Sequence, residues 1–232
     1  MLIKKSKTII VSIILLFITI AMLLLVFVIN EAKGKNLTYD QKVAIFAEEN
    51  KTFKKGQIVF IGDSITQNYR LDKYYDNMQV KCYNRGISGD RTDWLLYRLQ
   101  TSLFDLSPSK VILMIGTNDI NSQMTAEDIS KSYQKILELI STNLPTAEVY
   151  CMSIIPQNLN YSDKAYEFNQ KIIATNNQIE SLAQKYNYEY VDLYNKLKDE
   201  NGLLNQKYSK DGLHLNNKGY QIWTNEMKNI LV

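Results

Sequence analysis

Gln57 to Thr66 reads QIVFIGDSIT, and this stretch decides how the rest of the chain is read. Ile58 to Ile61 are four apolar residues in a row, the pattern of a parallel strand buried on both faces, and Gly62 ends the run where a residue without a side chain lets the backbone turn sharply. Ser64 then stands at the carboxyl edge of a strand. In an open α/β sheet ligands bind at that edge, so its hydroxyl is a candidate nucleophile.

The same grammar repeats downstream. Val80 to Tyr83, Lys110 to Ile115, Val149 to Ile155 and Tyr188 to Asp192 read as further strands. Between them lie helical patterns: Tyr69 to Met78 as helix and loop, Arg91 to Leu103, a helix opened by Thr125-Ala126-Glu127-Asp128, Lys164 to Tyr186, and a closing helix carrying Tyr220, Trp223, Met227 and Ile230. Strands alternating with helices imply right-handed crossovers and a parallel sheet covered on both sides. The expected fold is α/β, a three-layer α/β/α sandwich with five parallel strands in the flavodoxin-like order 2-1-3-4-5.

The amino terminus is a separate matter. Ile9 to Ile29 are 21 residues without a charge, with Ser12 and Thr19 the polar exceptions, long enough to cross a hydrocarbon core. A cleaved signal peptide is the rival, but the apolar run is too long and Asn30-Glu31-Ala32 is a poor cleavage site. Lys4, Lys5 and Lys7 favour a cytoplasmic amino end. The expected organisation is therefore 1–8 cytoplasmic, 9–29 a transmembrane signal anchor, 30–54 a stalk or a short helix packed under the domain, and 55–232 a catalytic domain outside the membrane.

Of 27 basic and 24 acidic residues, residues 1–35 hold five and one, so the remainder is nearly neutral at 22 against 23. A nucleic-acid partner would need a basic patch on the domain itself, and none is expected. Cys82 and Cys151 have no metal-site spacing and each lies in an apolar run, so buried free thiols are favoured over a disulfide.

His214 is the sole histidine. If a serine nucleophile has an imidazole base, this residue is it. Asp211, three residues earlier, can accept the imidazole N–H and fix the tautomer. A zinc site is disfavoured, because one histidine and no suitably spaced cysteines leave only carboxylates. Ser64 follows the first strand, Gly89 the second, Asn118 the third and the Asp211/His214 pair the fifth, so all reach one sheet edge. Asn118 offers a side-chain N–H, and Gly89 and Ser64 backbone N–H groups, to a developing oxyanion.

Four blocks carry a family resemblance: Gly62-Asp63-Ser64-Ile65, Gly86-Ile87-Ser88-Gly89-Asp90, Gly116-Thr117-Asn118-Asp119 and Asp211-Gly212-Leu213-His214. Over about residues 55 to 230 the chain resembles the SGNH hydrolases, also called GDSL-type esterases and lipases, and among them the platelet-activating-factor acetylhydrolase branch and related bacterial acyl esterases. Ile65 departs from the leucine of the name motif. An α/β-hydrolase elbow is disfavoured, since Thr66 stands where Gly-x-Ser-x-Gly needs its second glycine. The resemblance implies Ser64 as nucleophile, His214 as base, Asp211 as its orienter, an oxyanion hole from Ser64, Gly89 and Asn118, and neither cofactor nor metal.

The expected activity is that of a membrane-anchored carboxylic ester hydrolase acting on short acyl or O-acetyl esters. Its expected partner is an O-acetylated glycan or a lipid ester. A lysophospholipase, another lipid esterase or a thioesterase is the alternative, and a glycan-binding module on a hydrolase fold the non-enzymatic one. Activity is expected to fall as pH drops through the ordinary histidine pKa of about 6.5. Tyr69, Tyr74, Tyr75 and Tyr161 would suit sugar stacking, although packing is the more common role of such rings.

Overall fold

A computed structural model of the chain describes residues 37–231 together with Thr19. The expected span at 9–29, apart from Thr19, and the flanking 1–8 and 30–36 lie outside the described residues. Among those described, no helix is long and apolar enough to cross a membrane.

The chain divides into two units between Lys42 and Val43. In the first, Thr38 Oγ1 accepts the Gln41 N–H at 3.3 Å and Gln41 Oε1 accepts the Thr38 N–H at 2.9 Å. This reciprocal pair satisfies two otherwise orphaned donors and starts helix α1, Tyr39–Asn50.

In the second unit, β1 (Ile58–Gly62), β2 (Cys82–Gly86), β3 (Lys110–Met114), β4 (Glu148–Met152) and β5 (Glu189–Val191) form a parallel sheet in the order β2-β1-β3-β4-β5. Alternate strand residues feed two separate cores. Val59, Ile61, Val111, Leu113 and Cys151 face α4 (Thr92–Ser102), α6 (Ala126–Asn143) and α7 (Ala165–Lys185). Ile58, Phe60, Ile112, Met114 and Met152 share a core with α3 (Leu71–Tyr75), α8 (Tyr194–Leu197) and α9 (Asn217–Leu231), where Trp223 and Met227 are fully buried. Two apolar faces on each central strand are why IVFI and VILM read as unbroken hydrophobic runs. The three-layer sandwich and its strand order are as expected.

The second strand is displaced from its expected position. It spans Cys82–Gly86 rather than Val80 to Tyr83, with Ile58 opposite Cys82 and Gly62 opposite Gly86. Arg85 is polar yet buried, because its guanidinium pairs with Glu49, donates to Asn50 Oδ1 at 2.8 Å, and lies over the rings of Phe46 and Phe53. The same contacts bind the last turn of α1 to the sheet, so this part of the expected stalk is a packed helix. Gly86 is a strand residue, and a Cβ there would stand 2.2 Å from the Gln67 backbone nitrogen. That close approach belongs to the strand end, not to a loop.

The fourth strand stops at Met152 rather than Ile155, and within the helix and loop expected over Tyr69 to Met78 the helix is α3. Tyr69 and Tyr75 are core residues, 2% and 6% exposed, with their hydroxyls 2.6 Å apart and Tyr69 also 2.7 Å from Thr224 Oγ1. Neither ring can stack on a sugar. Both cysteines are free thiols; Cys151 is buried and Cys82 only partly so.

Candidate active site

β1 ends at Gly62, and the chain turns at Asp63 into the single-turn helix α2, Ser64–Gln67. Asp63 caps that helix: its Oδ1 accepts the Ile65 N–H at 2.9 Å. Ser64 is thereby the first helical residue, so its own N–H has no partner within the helix and stays available. The serine sits on a rigid strand–turn–helix joint at the carboxyl edge of the sheet.

His214 arrives from the loop before α9. Its Nε2 lies 3.0 Å from Ser64 Oγ and its Nδ1 2.7 Å from Asp211 Oδ2. Asp211 Oδ1 accepts the backbone N–H groups of Leu213 at 3.0 Å and His214 at 2.8 Å. Partial burial pushes the Asp211 carboxyl up, but the imidazole and these amides outweigh it and hold the pKa down at about 2. A carboxylate that stays ionised holds a hydrogen on Nδ1 and leaves Nε2 with its lone pair toward Ser64. The three residues, 150 positions apart at their extremes, form one continuous hydrogen-bonded relay.

Gly89 and Asn118 meet through the loop after β2. Gly89 has φ +82°, a backbone that favours glycine. Asn118, on α5 (Thr117–Asn121), donates through Nδ2 to the Asp90 carbonyl at 2.9 Å, which leaves its second amide hydrogen uncommitted by that bond. On the other side of Gly89, the Ser88 N–H donates to Gln67 Oε1 at 2.8 Å. The loop is therefore pinned on one side to the helix that carries Ser64 and on the other to Asn118.

Beneath this surface lies a cluster that the sequence did not reveal. Asp63, Asp90 and Asp119 are each 0% exposed, and Arg98 is 1% exposed. Arg98 grips Asp90 Oδ2 through Nε at 2.8 Å and Nη2 at 2.6 Å, and also donates to the carbonyls of Arg85 and Gly62 at 2.8 and 2.9 Å. It thus ties the ends of β1 and β2 to the Gly89 loop. Asp119 accepts the Thr92 N–H at 3.1 Å and the Thr92 hydroxyl. Burial pushes the Asp63 carboxyl up to about 7, with the charges of Asp90 and Asp119 adding to it and the Ile65 N–H opposing. Burial likewise lifts Asp90 to about 6 against the pull of Arg98, and raises Asp119 against its Thr92 donors. Asp63, Asp90 and Asp119 stood in the quoted sequence blocks, but nothing in their spacing marked them as one buried group.

Among the described residues no group of three or more His, Cys, Asp or Glu side chains is arranged to hold a metal ion.

The sequence pattern of the GDSL-like lipase/acylhydrolase family matches residues 60–222, which spans every group in this relay and its supporting loop. The chain belongs to that family. Platelet-activating factor acetylhydrolase IB subunit alpha2 of Rattus norvegicus is 27% identical over 171 residues, covering 72% of each chain. A solved structure described as a candidate platelet activating factor from Streptococcus pneumonia has 29% identity and a TM-score of 0.77, covering 92% of this chain and 99% of that one. A GDSL-like lipase from Bacteroides thetaiotaomicron has 26% identity and a TM-score of 0.72, covering 82% and 96%. As a GDSL acylhydrolase the protein is a carboxylic ester hydrolase, and its platelet-activating-factor acetylhydrolase-like relatives agree with the resemblance carried by the four sequence blocks.

Proposed function

We propose that this protein is a serine esterase that hydrolyses short acyl esters through an acyl-enzyme on Ser64, with His214 as general base and acid and Asp211 orienting it. The observation that carries the reading is the unbroken relay of 3.0 Å from Ser64 Oγ to His214 Nε2 and 2.7 Å from His214 Nδ1 to Asp211.

Ser64 Oγ attacks the ester carbonyl carbon as its proton passes to His214 Nε2. The carbonyl π pair moves to oxygen, where the Ser64 and Gly89 N–H groups and the second Asn118 amide hydrogen receive the oxyanion. Collapse breaks the bond to the alcohol oxygen, which leaves with the proton from His214. Water then repeats the sequence on the acyl-serine, His214 taking its proton and returning one to Ser64 Oγ, and the carboxylic acid departs. Preference for a short acyl group is supported by the acetylhydrolase relatives. We further propose, on the uncharged run of residues 9–29, that the catalytic domain is tethered at the outer face of a membrane.

Hydrolysis of p-nitrophenyl esters from acetate to palmitate by the full chain, beside its Ser64→Ala variant, tests this reading. The expected result is a rate that is highest on acetate and falls roughly 10⁴–10⁶-fold in kcat in the variant. Full activity in Ser64→Ala would overturn the nucleophile, and a maximum at long chains would replace short esters with lipid esters.

A further inference from the structure

A cavity of about 460 Å³ opens beside the relay, with His214 and Asp211 in its wall together with Asn68, Arg70, Tyr74, Lys210 and Asn217. Gly89 and Asn118 do not line it. The cavity therefore lies on the imidazole side of Ser64 and away from the groups that would receive the carbonyl oxygen. When the acyl-enzyme forms, His214 must protonate the departing alcohol, so that oxygen has to be next to Nε2. The volume beside His214 is where the rest of the alcohol can extend.

The polar groups of the wall divide unevenly. Its acceptors are mostly taken: Asn216 Oδ1 receives the Lys218 and Gly219 N–H groups at 2.9 and 3.2 Å, Asn217 Oδ1 receives Lys73 Nζ at 3.1 Å, and both Asp211 oxygens are occupied by the His214 ring and backbone amides. What remains open is mostly donors. Arg70 spends Nε and Nη2 on Asp72 and keeps Nη1, Asn217 keeps Nδ2, and Asn68 at the end of α2 keeps its whole side-chain amide. Among the described residues Lys210 makes no hydrogen bond or ion pair, and Lys73 has no carboxylate partner.

Charge points the same way. Arg70, paired with Asp72, and Lys210 line this wall and Lys73 reaches its Asn217, while Asp211 is matched by the imidazolium of the tetrahedral intermediate. A donor-rich, net positive wall suits a ligand that brings acceptors and negative charge.

We propose that this cavity is the subsite for the alcohol half of the ester and that it takes an anionic group there, a phosphate or a carboxylate. The proposal rests on the serine-esterase reading and adds a substrate class to it. A phosphate would mark a phosphate-bearing lipid or polyol backbone, a carboxylate an acidic sugar.

Three acetyl esters on one carbon skeleton test it with the full chain: 1-O-acetylglycerol, 1-O-acetylglycerol 3-phosphate and 3-O-acetylglycerate, followed by acetate release, with p-nitrophenyl acetate as the control ester. The expected result is kcat/KM at least tenfold higher for one or both anionic esters than for the neutral one, mainly through KM. The better anion identifies the source. Lys210→Ala and Arg70→Ala should each bring the anionic-to-neutral ratio down several-fold, Lys210→Glu should carry it below one, and Lys210→Arg should keep it. Equal kcat/KM on all three esters, or a ratio untouched by Lys210→Glu, overturns the subsite while leaving the esterase standing. No hydrolysis of any of the four esters by folded protein overturns the esterase reading itself, and the subsite with it.

Discussion

Two groups of aspartates stand near Ser64 in the fold, and they behave in opposite ways. Asp211 is half exposed, collects N–H donors on both oxygens and is held at about 2, so it is ionised throughout the working range. Asp63 and Asp90 lie fully buried, Asp90 paired with Arg98 and Asp63 capping the helix that carries Ser64, and are pushed up to about 7 and about 6. One carboxylate is placed where its charge acts on an imidazole. The others are placed where their oxygens fasten backbone, at the cost of burying charge. The same side chain does chemistry or architecture according to how many donors reach it and how much water is excluded.

Removing the charge of Asp211 should have the largest effect on activity. Asp211→Asn can no longer hold the Nδ1–H tautomer, and kcat should fall roughly 10³–10⁴-fold. Its urea midpoint should move little, because the site is half in solvent. A loss of less than tenfold in ester turnover would mean that Asp211 does not orient the base.

Arg98→Ala should reverse that balance. It leaves Asp90 buried without its partner and frees the carbonyls of Gly62 and Arg85, so stability should drop by about 3–5 kcal/mol in urea unfolding. A drop below about 1 kcal/mol would show that the buried pair does not hold the strand ends together.

The pH dependence of stability separates the two groups next. A raised carboxyl contributes stability fully below its unfolded pKa of about 3.9, and that contribution is lost as pH rises through the folded value. For Asp63 and Asp90 the loss therefore runs from about pH 4 to about pH 7. Asp211, depressed, loses its contribution only as pH falls from about 4 through about 2. The urea midpoint should decline between about pH 4 and about pH 7, and Asp63→Asn should flatten that decline; an identical slope in the variant would contradict the assignment to Asp63.

Gln67→Ala should have the smallest effect. It releases the Ser88 N–H from the helix that carries Ser64 and loosens one side of the Gly89 loop. A reduction of kcat of about tenfold with KM little changed is expected, since the loss falls on the oxyanion rather than on ground-state binding. An equal rise in KM would instead point to Gln67 touching substrate.

The parts of the molecule that were legible in the sequence are those with one physical cause. Strands β1 and β3 are apolar on both faces and cannot be mistaken, and His214, with no other histidine in the chain, has no competitor as the imidazole that reaches Ser64. The carboxyl end of β2 is not legible in the sequence, because Asn84 and Arg85 are polar. Arg85 is buried only by virtue of Glu49, Asn50, Phe46 and Phe53, more than thirty positions away. The acidic cluster was hidden for the same reason, since its Asp–Arg–Thr contacts join four segments that only the folded sheet brings together. Gln67 looked like any polar residue at a helix end until the fold set it beside Ser88.

The most direct test of the central claim is covalent labelling of the full chain with a fluorophosphonate, in which Ser64 Oγ attacks phosphorus and expels fluoride, followed by mass spectrometry of the peptides. The expected result is a single phosphonyl adduct on Ser64, absent from Ser64→Ala and formed far more slowly in Asp211→Asn. Folded wild-type protein that takes up no label, or an adduct that persists in Ser64→Ala, would contradict it.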